Sequence, residues 1–314
     1  GNSSGGNSSG SNSTVGGGKN LLIHTREDPV ELSVKGWPSS LAMGTVTDND
    51  ASSVIQFSDA QVDSIFTTAG DGLGNRGAVI DPTVAVQTIM LARDVESTLG
   101  ENVVPTMVVT TANASDGSVG SKDILNYGNL VKHYQNLIRM TAVIQSYKDD
   151  THDSPASIVL NADLLGAWQS TQNSAFKTAF GKVGAWKTIQ VKKALKEAIA
   201  AEADYELMGA NGLTTLASEY NLAAIERGIN AAIADNIKGW VQSQNLVIKS
   251  FSPDVAFGWG LSLQGNTDWV HDEFPGGLQV VWNTVSKPTV SFLEAIGAYG
   301  SKNRPDFITF AKYD

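Results

Sequence analysis

Apolar and polar positions along the chain alternate between two periods. Runs of five to nine mostly apolar residues stand at Leu41–Val46, Thr106–Thr111, Ala156–Leu160, Val255–Leu263 and Asp306–Phe310. Their length and β-branched content predict buried strands. Between them the period lengthens. Pro82 opens a helix that runs to about Leu99, with Asp81 placed to cap it. A second helix covers roughly Ile124 to Tyr147, because Leu130, Tyr134, Leu137, Ile138, Thr141 and Ile144 fall on one helical face. A short helix near Val290–Tyr299 precedes the last strand.

Strands alternating with helices predict βα units and a parallel sheet. The expected fold is α/β, a (β/α) barrel. Five clear strands fall short of the eight a closed barrel needs, so the barrel is incomplete or holds strands of weak signal. Residues from about 171 to 250 are helical and alanine-rich, with a break near Gly209–Gly212. That is too long for one βα connection, and it reads as an inserted helical subdomain or lid. Gly1 to about Gly18 is almost wholly Gly, Asn, Ser and Thr, which cannot bury enough apolar surface to order itself. It is expected to be a flexible linker, with residues 19–314 forming the barrel domain. Linkers of this kind join enzymes to substrate-holding modules, so a carbohydrate-binding module N-terminal to it is the expected partner.

Composition narrows the chemistry. A net charge of −10 and the lack of an evident basic stripe argue against nucleic acid as a partner. No run reaches the roughly 18 apolar residues a membrane span requires. There is no cysteine, which removes disulfides, thiolate metal sites and cysteine nucleophiles. The four histidines, His24, His133, His152 and His271, show no metal-ligand spacing, and no metal is expected. Gly72–Gly77 (GLGNRG) has the spacing of a dinucleotide loop, but the next helix starts too late for its amides to hold a phosphate.

The candidate chemistry lies at strand ends, where parallel α/β folds place reacting groups. Asp163 ends VLNAD, Asp116 follows VVTTANAS, and Asp268 follows GWGLSLQGNT. An aspartate after a strand also serves as a helix cap, and pattern alone leaves both roles open. Trp168, Trp259 and Trp269 lie at or just past strand ends, where flat rings stack on sugar C–H faces. Each such ring is also a natural core residue.

The stretch Val108–Gly117 (VVTTANASDG) resembles the VVYDLPDRDC motif of glycoside hydrolase family 6, the inverting cellulases. Ile158–Gly166 (IVLNADLLG) resembles that family's IVIEPDSLA motif, and Pro253–Gly260 (PDVAFGWG) is similar to its next strand. The resemblance implies a secreted enzyme that cleaves a β-linked glucan by inversion and needs no cofactor. Asp163 matches the acid that protonates the glycosidic oxygen. Asp116 matches the aspartate that raises that acid's pKa, as a neighbouring carboxylate does. Asp268 is the first choice for the base, across a gap of about 6.5–9.5 Å that admits a water. Substrate contacts are expected from Trp269, Trp259, Trp168 and Asn161. Thr110 stands where the family has a tyrosine, Thr111 where it has an aspartate, Asn161–Ala162 where it has Glu-Pro, and Gly260 where it has a strand-end aspartate. The alternative from another class is a non-catalytic polysaccharide-binding or adhesion module on a hydrolase-like barrel.

Overall fold

The computed structural model describes residues 33–69, 81–113, 117–171, 174–209, 212–262, 283, 286–299 and 303–311. In chain order the elements are β1 (Gly44–Val46), α1 (Ser53–Asp59), β2 (Ser64–Ala69), α2 (Thr83–Leu99), β3 (Val104–Val109), α3 (Ser121–Ile124), α4 (Tyr127–Ser146), β4 (Ser157–Leu160) and α5 (Leu164–Thr171). There follow α6 (Ala175–Phe180), β5 (Gly181–Lys182), β6 (Ala185–Trp186), α7 (Val191–Glu202), β7 (Glu206–Gly209), β8 (Gly212–Thr215), α8 (Leu216–Glu219), α9 (Leu222–Ala232) and α10 (Ile237–Phe251). The chain closes with β9 (Ala256–Ser262), α11 (Lys287–Ile296) and β10 (Phe307–Ala311).

Six strands form one parallel sheet in the order β1-β2-β3-β4-β9-β10. Each strand lies beside the next one to join the sheet. This is the winding of a barrel, whereas a doubly wound sheet reverses direction at an internal switch point. Right-handed crossovers in one direction put their helices on one face. The sheet curls into a half-barrel with edges at β1 and β10. The fold is therefore α/β and barrel-like, with six strands in this sheet among the described residues where the sequence offered five. The additional strand is β2.

Alternation along β9 shows how the two faces differ. Phe257, Trp259 and Leu261 are fully buried and join Met107, Val109, Ile158, Leu160, Tyr134 and Trp240 in the main core. Gly258 and Gly260 point the other way, and neither has room for a side chain. A Cβ on Gly258 would lie 2.3 Å from the Phe307 ring, and one on Gly260 would lie 2.3 Å from Ala162 Cα. Lower on the inner face Ser64 Oγ and Thr106 Oγ1 are 3.1 Å apart, and the Trp37 indole N–H donates to Ser157 Oγ at 3.1 Å.

Helix ends follow local chemistry. The N-cap of α2 is Pro82, not Asp81 as expected; Asp81 stands one residue earlier, and its Oδ1 accepts from the Thr83 amide and hydroxyl. Asn126 caps α4 by accepting from the Asn129 amide. The helix expected over Ile124–Tyr147 is α4, and the short α3 precedes it. The insertion departs further from expectation. It contains two hairpins, β5–β6 and β7–β8, besides its helices. Its helices α7 and α10 bury apolar faces against α4. The apolar residues of this segment join the same core as those of the sheet.

Candidate functional site at the strand ends

The loops after β3 and β4 are tied together by one side chain. Asn161 follows Leu160 directly and adopts φ +49°, in the left-handed region that asparagine tolerates better than most residues. Its amide donates to Val109 O at 2.8 Å, extending the β3–β4 ladder by one rung. Its Oδ1 accepts from the Thr111 amide at 2.8 Å and the Ala112 amide at 3.3 Å, and its Nδ2 donates to Thr111 Oγ1 at 2.8 Å. Thr111, Ala112 and Asn161 are all buried. The clasp satisfies backbone groups that leave the ladder where the strands end.

The turn made by Asn161 brings Ala162 over Gly260 and presents Asp163, which is exposed, immediately before α5. The loop after β3 is held from three other directions. The Asn113 amide donates to Asp123 Oδ2 at 2.9 Å, and the Gly120 amide donates to Asn113 O at 3.0 Å. The Trp168 indole N–H donates to Val119 O at 2.7 Å. Val119 itself sits at φ +50°, an uncommon conformation for a β-branched residue. Backbone strain of this kind persists only where the surroundings over-determine it, and it clusters at functional sites.

Behind the clasp, His133 of α4 lies 2.8 Å through Nδ1 from Thr111 O. A carbonyl can only accept, so Nδ1 carries the proton. Among the described residues its Nε2 has no partner within good hydrogen-bond geometry. Burial pushes the His133 pKa down to about 4, although contacts with Thr111 and Gln244 oppose the shift. The ring is therefore neutral at pH 7 and packs 5.3 Å from the Trp240 ring.

Several expected site residues fall elsewhere. Trp168 and Trp259 are completely buried, with ring centroids 5.6 Å and 6.3 Å from that of Trp240. The Trp259 indole donates to Asn245 Oδ1 at 2.9 Å. These two rings are core, not sugar platforms. Asn161 is likewise buried, and its amide is occupied by the clasp, so its part is to shape the loop rather than to touch substrate. Asp116, Asp268 and Trp269 lie outside the described residues, as do the 1–18 linker and the Gly72–Gly77 loop. Thr111 and His133 are the site residues not expected to take part. In the sequence Thr111 marks only a departure from the resembled motif, and His133 stands next to Tyr134 on the apolar face of its helix.

A second polar cluster occupies the opposite, N-terminal end of the sheet. A groove of about 1030 Å³ is lined by Trp37, Asp63, Arg93, Glu96, Asn102 and His152, among others. His152 bridges two carboxylates, with Nε2 2.9 Å from Glu96 Oε2 and Nδ1 2.8 Å from Asp149 Oδ1. Glu96 Oε1 also accepts from Arg93 Nη1 and the Val103 amide, each at 2.8 Å. Desolvation works to raise the Asp149 carboxyl, but hydrogen bonds from the Thr151 and His152 side chains and amides outweigh it, holding Asp149 well below the usual carboxylate range. This network fastens the loop before β4 to α2. Among the described residues no group of three or more His, Asp or Glu is placed to hold a metal ion, and no helix is long and apolar enough to cross a membrane.

The chain matches no protein-family model, no curated protein and no solved structure.

Proposed function

We propose that this chain is an extracellular glycoside hydrolase that cleaves a β-linked polysaccharide by inversion, with Asp163 as the proton donor. The observation that carries the reading is the position of Asp163. It is exposed on the turn leaving β4, an interior strand of a singly wound parallel sheet, and a buried clasp fixes the backbone beneath it. Barrel enzymes gather their reacting groups at this end of the strands. In this reading Asp116 is the partner carboxylate, Asp268 activates the attacking water, and Trp269 supports the sugar ring. The acid gives its proton to the glycosidic oxygen as the bond to the anomeric carbon breaks. The water attacks the opposite face and loses its proton to the base. Carboxylates alone suffice for that chemistry, and no cofactor enters it. The linker would tether the enzyme to a module that holds insoluble substrate.

One observation favours a second reading, a binding module without catalysis. Ala162 lies against Gly260, so the end of β9 has no room for the acidic side chain found there in the enzymes it resembles. Sugar release from cellulose, soluble β-glucans, xylan and chitin, measured for the wild type and Asp163→Ala, separates the two. Because Asp163 is exposed, the variant should keep its melting temperature, with a stability change within about 0.5 kcal/mol. Release by the wild type that vanishes in the folded variant supports the hydrolase. Retention on a polysaccharide without release by either protein supports the binding module.

A further inference from the structure

We infer that the surface ribbon from Ser174 to Lys196 is a docking track for an anionic polysaccharide. The chain carries 32 carboxylate side chains against 22 lysines and arginines, yet residues 164–196 contain six lysines and no aspartate or glutamate. The remainder therefore holds 16 cations against the same 32 carboxylates. Charge this unevenly distributed orients a protein toward a polyanion in spite of its net sign.

The fold puts the lysines on the outside. Lys177, Lys182, Lys187 and Lys193 are exposed, and Lys192 and Lys196 are half-buried, while Phe176, Phe180, Ile189, Val191 and Leu195 anchor the ribbon in the core. The carboxylates beside it are engaged by other donors. Asp235 Oδ1 accepts from the Lys192 amide at 2.9 Å, and Glu197 accepts from the Tyr127 hydroxyl. Lys193 Nζ lies 4.7 Å from the centre of the Tyr127 ring. The side chains of Lys182, Lys192 and Lys196 form no ion pair among the described residues. Lys192 and Lys196 are also one helical turn apart, a like-charge spacing that costs a helix stability unless an anion relieves it.

The residue types select among polyanions. The ribbon has no arginine, so it offers separated point charges rather than paired hydrogen bonds to any one anionic group. Trp186 is half-buried and packs edge-on to Phe176 at 6.0 Å, so it offers no platform for a nucleic-acid base. Val183, at 62% exposure, is the ribbon's one large exposed apolar side chain, too little to anchor it in lipid. Spaced ammonium groups on a polar ribbon fit the spaced carboxylates or sulfates of an acidic glycan.

This inference goes beyond the hydrolytic reading and does not depend on Asp163, so its test reads binding alone. Affinity electrophoresis of the full chain through gels containing polygalacturonate, at low and moderate salt, would be compared with Lys182→Glu/Lys192→Glu/Lys196→Glu and with a neutral hydroxyethylcellulose gel. The wild type should be retarded by polygalacturonate at about 50 mM salt and released at about 300 mM, as counterion release requires. The triple variant should bind at least about tenfold more weakly while keeping the wild-type circular dichroism. The glutamine version, which removes charge without reversing it, should fall between. Failure of polygalacturonate to retard the wild type, equal retardation of wild type and folded variant, or binding only to vesicles of anionic phospholipid would each overturn the inference.

Discussion

Replacing Asn161 tests whether the strand-end clasp shapes the candidate site. In Asn161→Ala the buried amides of Thr111 and Ala112 lose their shared acceptor. Leaving a buried donor unpaired costs about 1–3 kcal/mol, and the bond to Ala112, at 3.3 Å, belongs at the low end. Together the two lost bonds are worth about 3 kcal/mol. Holding alanine at φ +49° adds about 1 kcal/mol, so the whole loss is about 4 kcal/mol. Asn161→Gly loses the same bonds without the backbone strain and should be about 1 kcal/mol more stable than the alanine variant. Urea unfolding followed by circular dichroism gives these values directly. For a unit of this size the alanine variant should melt about 8 °C lower than the wild type. An alanine variant within 1 kcal/mol of the wild type would refute the clasp. A glycine variant no more stable than the alanine one would refute the strain.

Three further outcomes are expected. Arg139→Ala leaves the fully buried Glu202 carboxylate with Gln135 Nε2 at 2.6 Å as its side-chain donor, and should cost about 3–5 kcal/mol in urea unfolding. Gly260→Ala drives a methyl group into the Ala162 backbone, so its thermal midpoint should reflect a loss of about 2 kcal/mol or more. His133 has a folded pKa of about 4, below its unfolded value of about 6.5, so below that value the unfolded chain binds the extra proton. Stability should fall as the pH drops from about 6.5 to 4, by about 3 kcal/mol in all, and His133→Gln should flatten that part of the urea-midpoint profile.

The elements legible in the sequence are those whose period is carried by large apolar residues. β3, β4, β9, α2 and α4 are of this kind. β2 is not: in Ser64–Ala69 (SIFTTA) the buried positions include Ser64 and Thr67, and Phe66 is partly exposed, so polarity and burial disagree at three of six residues. The two hairpins of the insertion were hidden by their length, with strands of two to four residues. At the candidate site the sequence located Asp163 at a strand end, because the apolar run before it is unambiguous. It could not separate core tryptophans from exposed ones. Sequence position puts Trp168 and Trp259 at or just past strand ends, yet Trp168 lies within α5 and Trp259 at the middle of β9, and both rings pack near Trp240 in the core. Asn161 looked like a departure from a catalytic motif, and its work depends on a backbone angle that composition does not reveal. The lysine ribbon was readable throughout, but a net charge of −10 concealed it by averaging it with the rest.

The order of strands in the sheet bears on how the chain is made. Strands β1 to β4 each meet the strand before them within a few dozen residues, so they can pair as they leave the ribosome. The next partner is different: about 95 residues, 161–255, separate Leu160 from Ala256. At about 5–20 residues per second, β4 waits roughly 5–20 s with one row of backbone N–H and C=O groups unpaired. The strand that fills this edge is β9, and the strands of each insertion hairpin pair only with each other. Production of the folded protein should therefore depend on chaperones that occupy nascent strand edges, and slowing translation across the insertion should lower the soluble yield more than slowing it before β4.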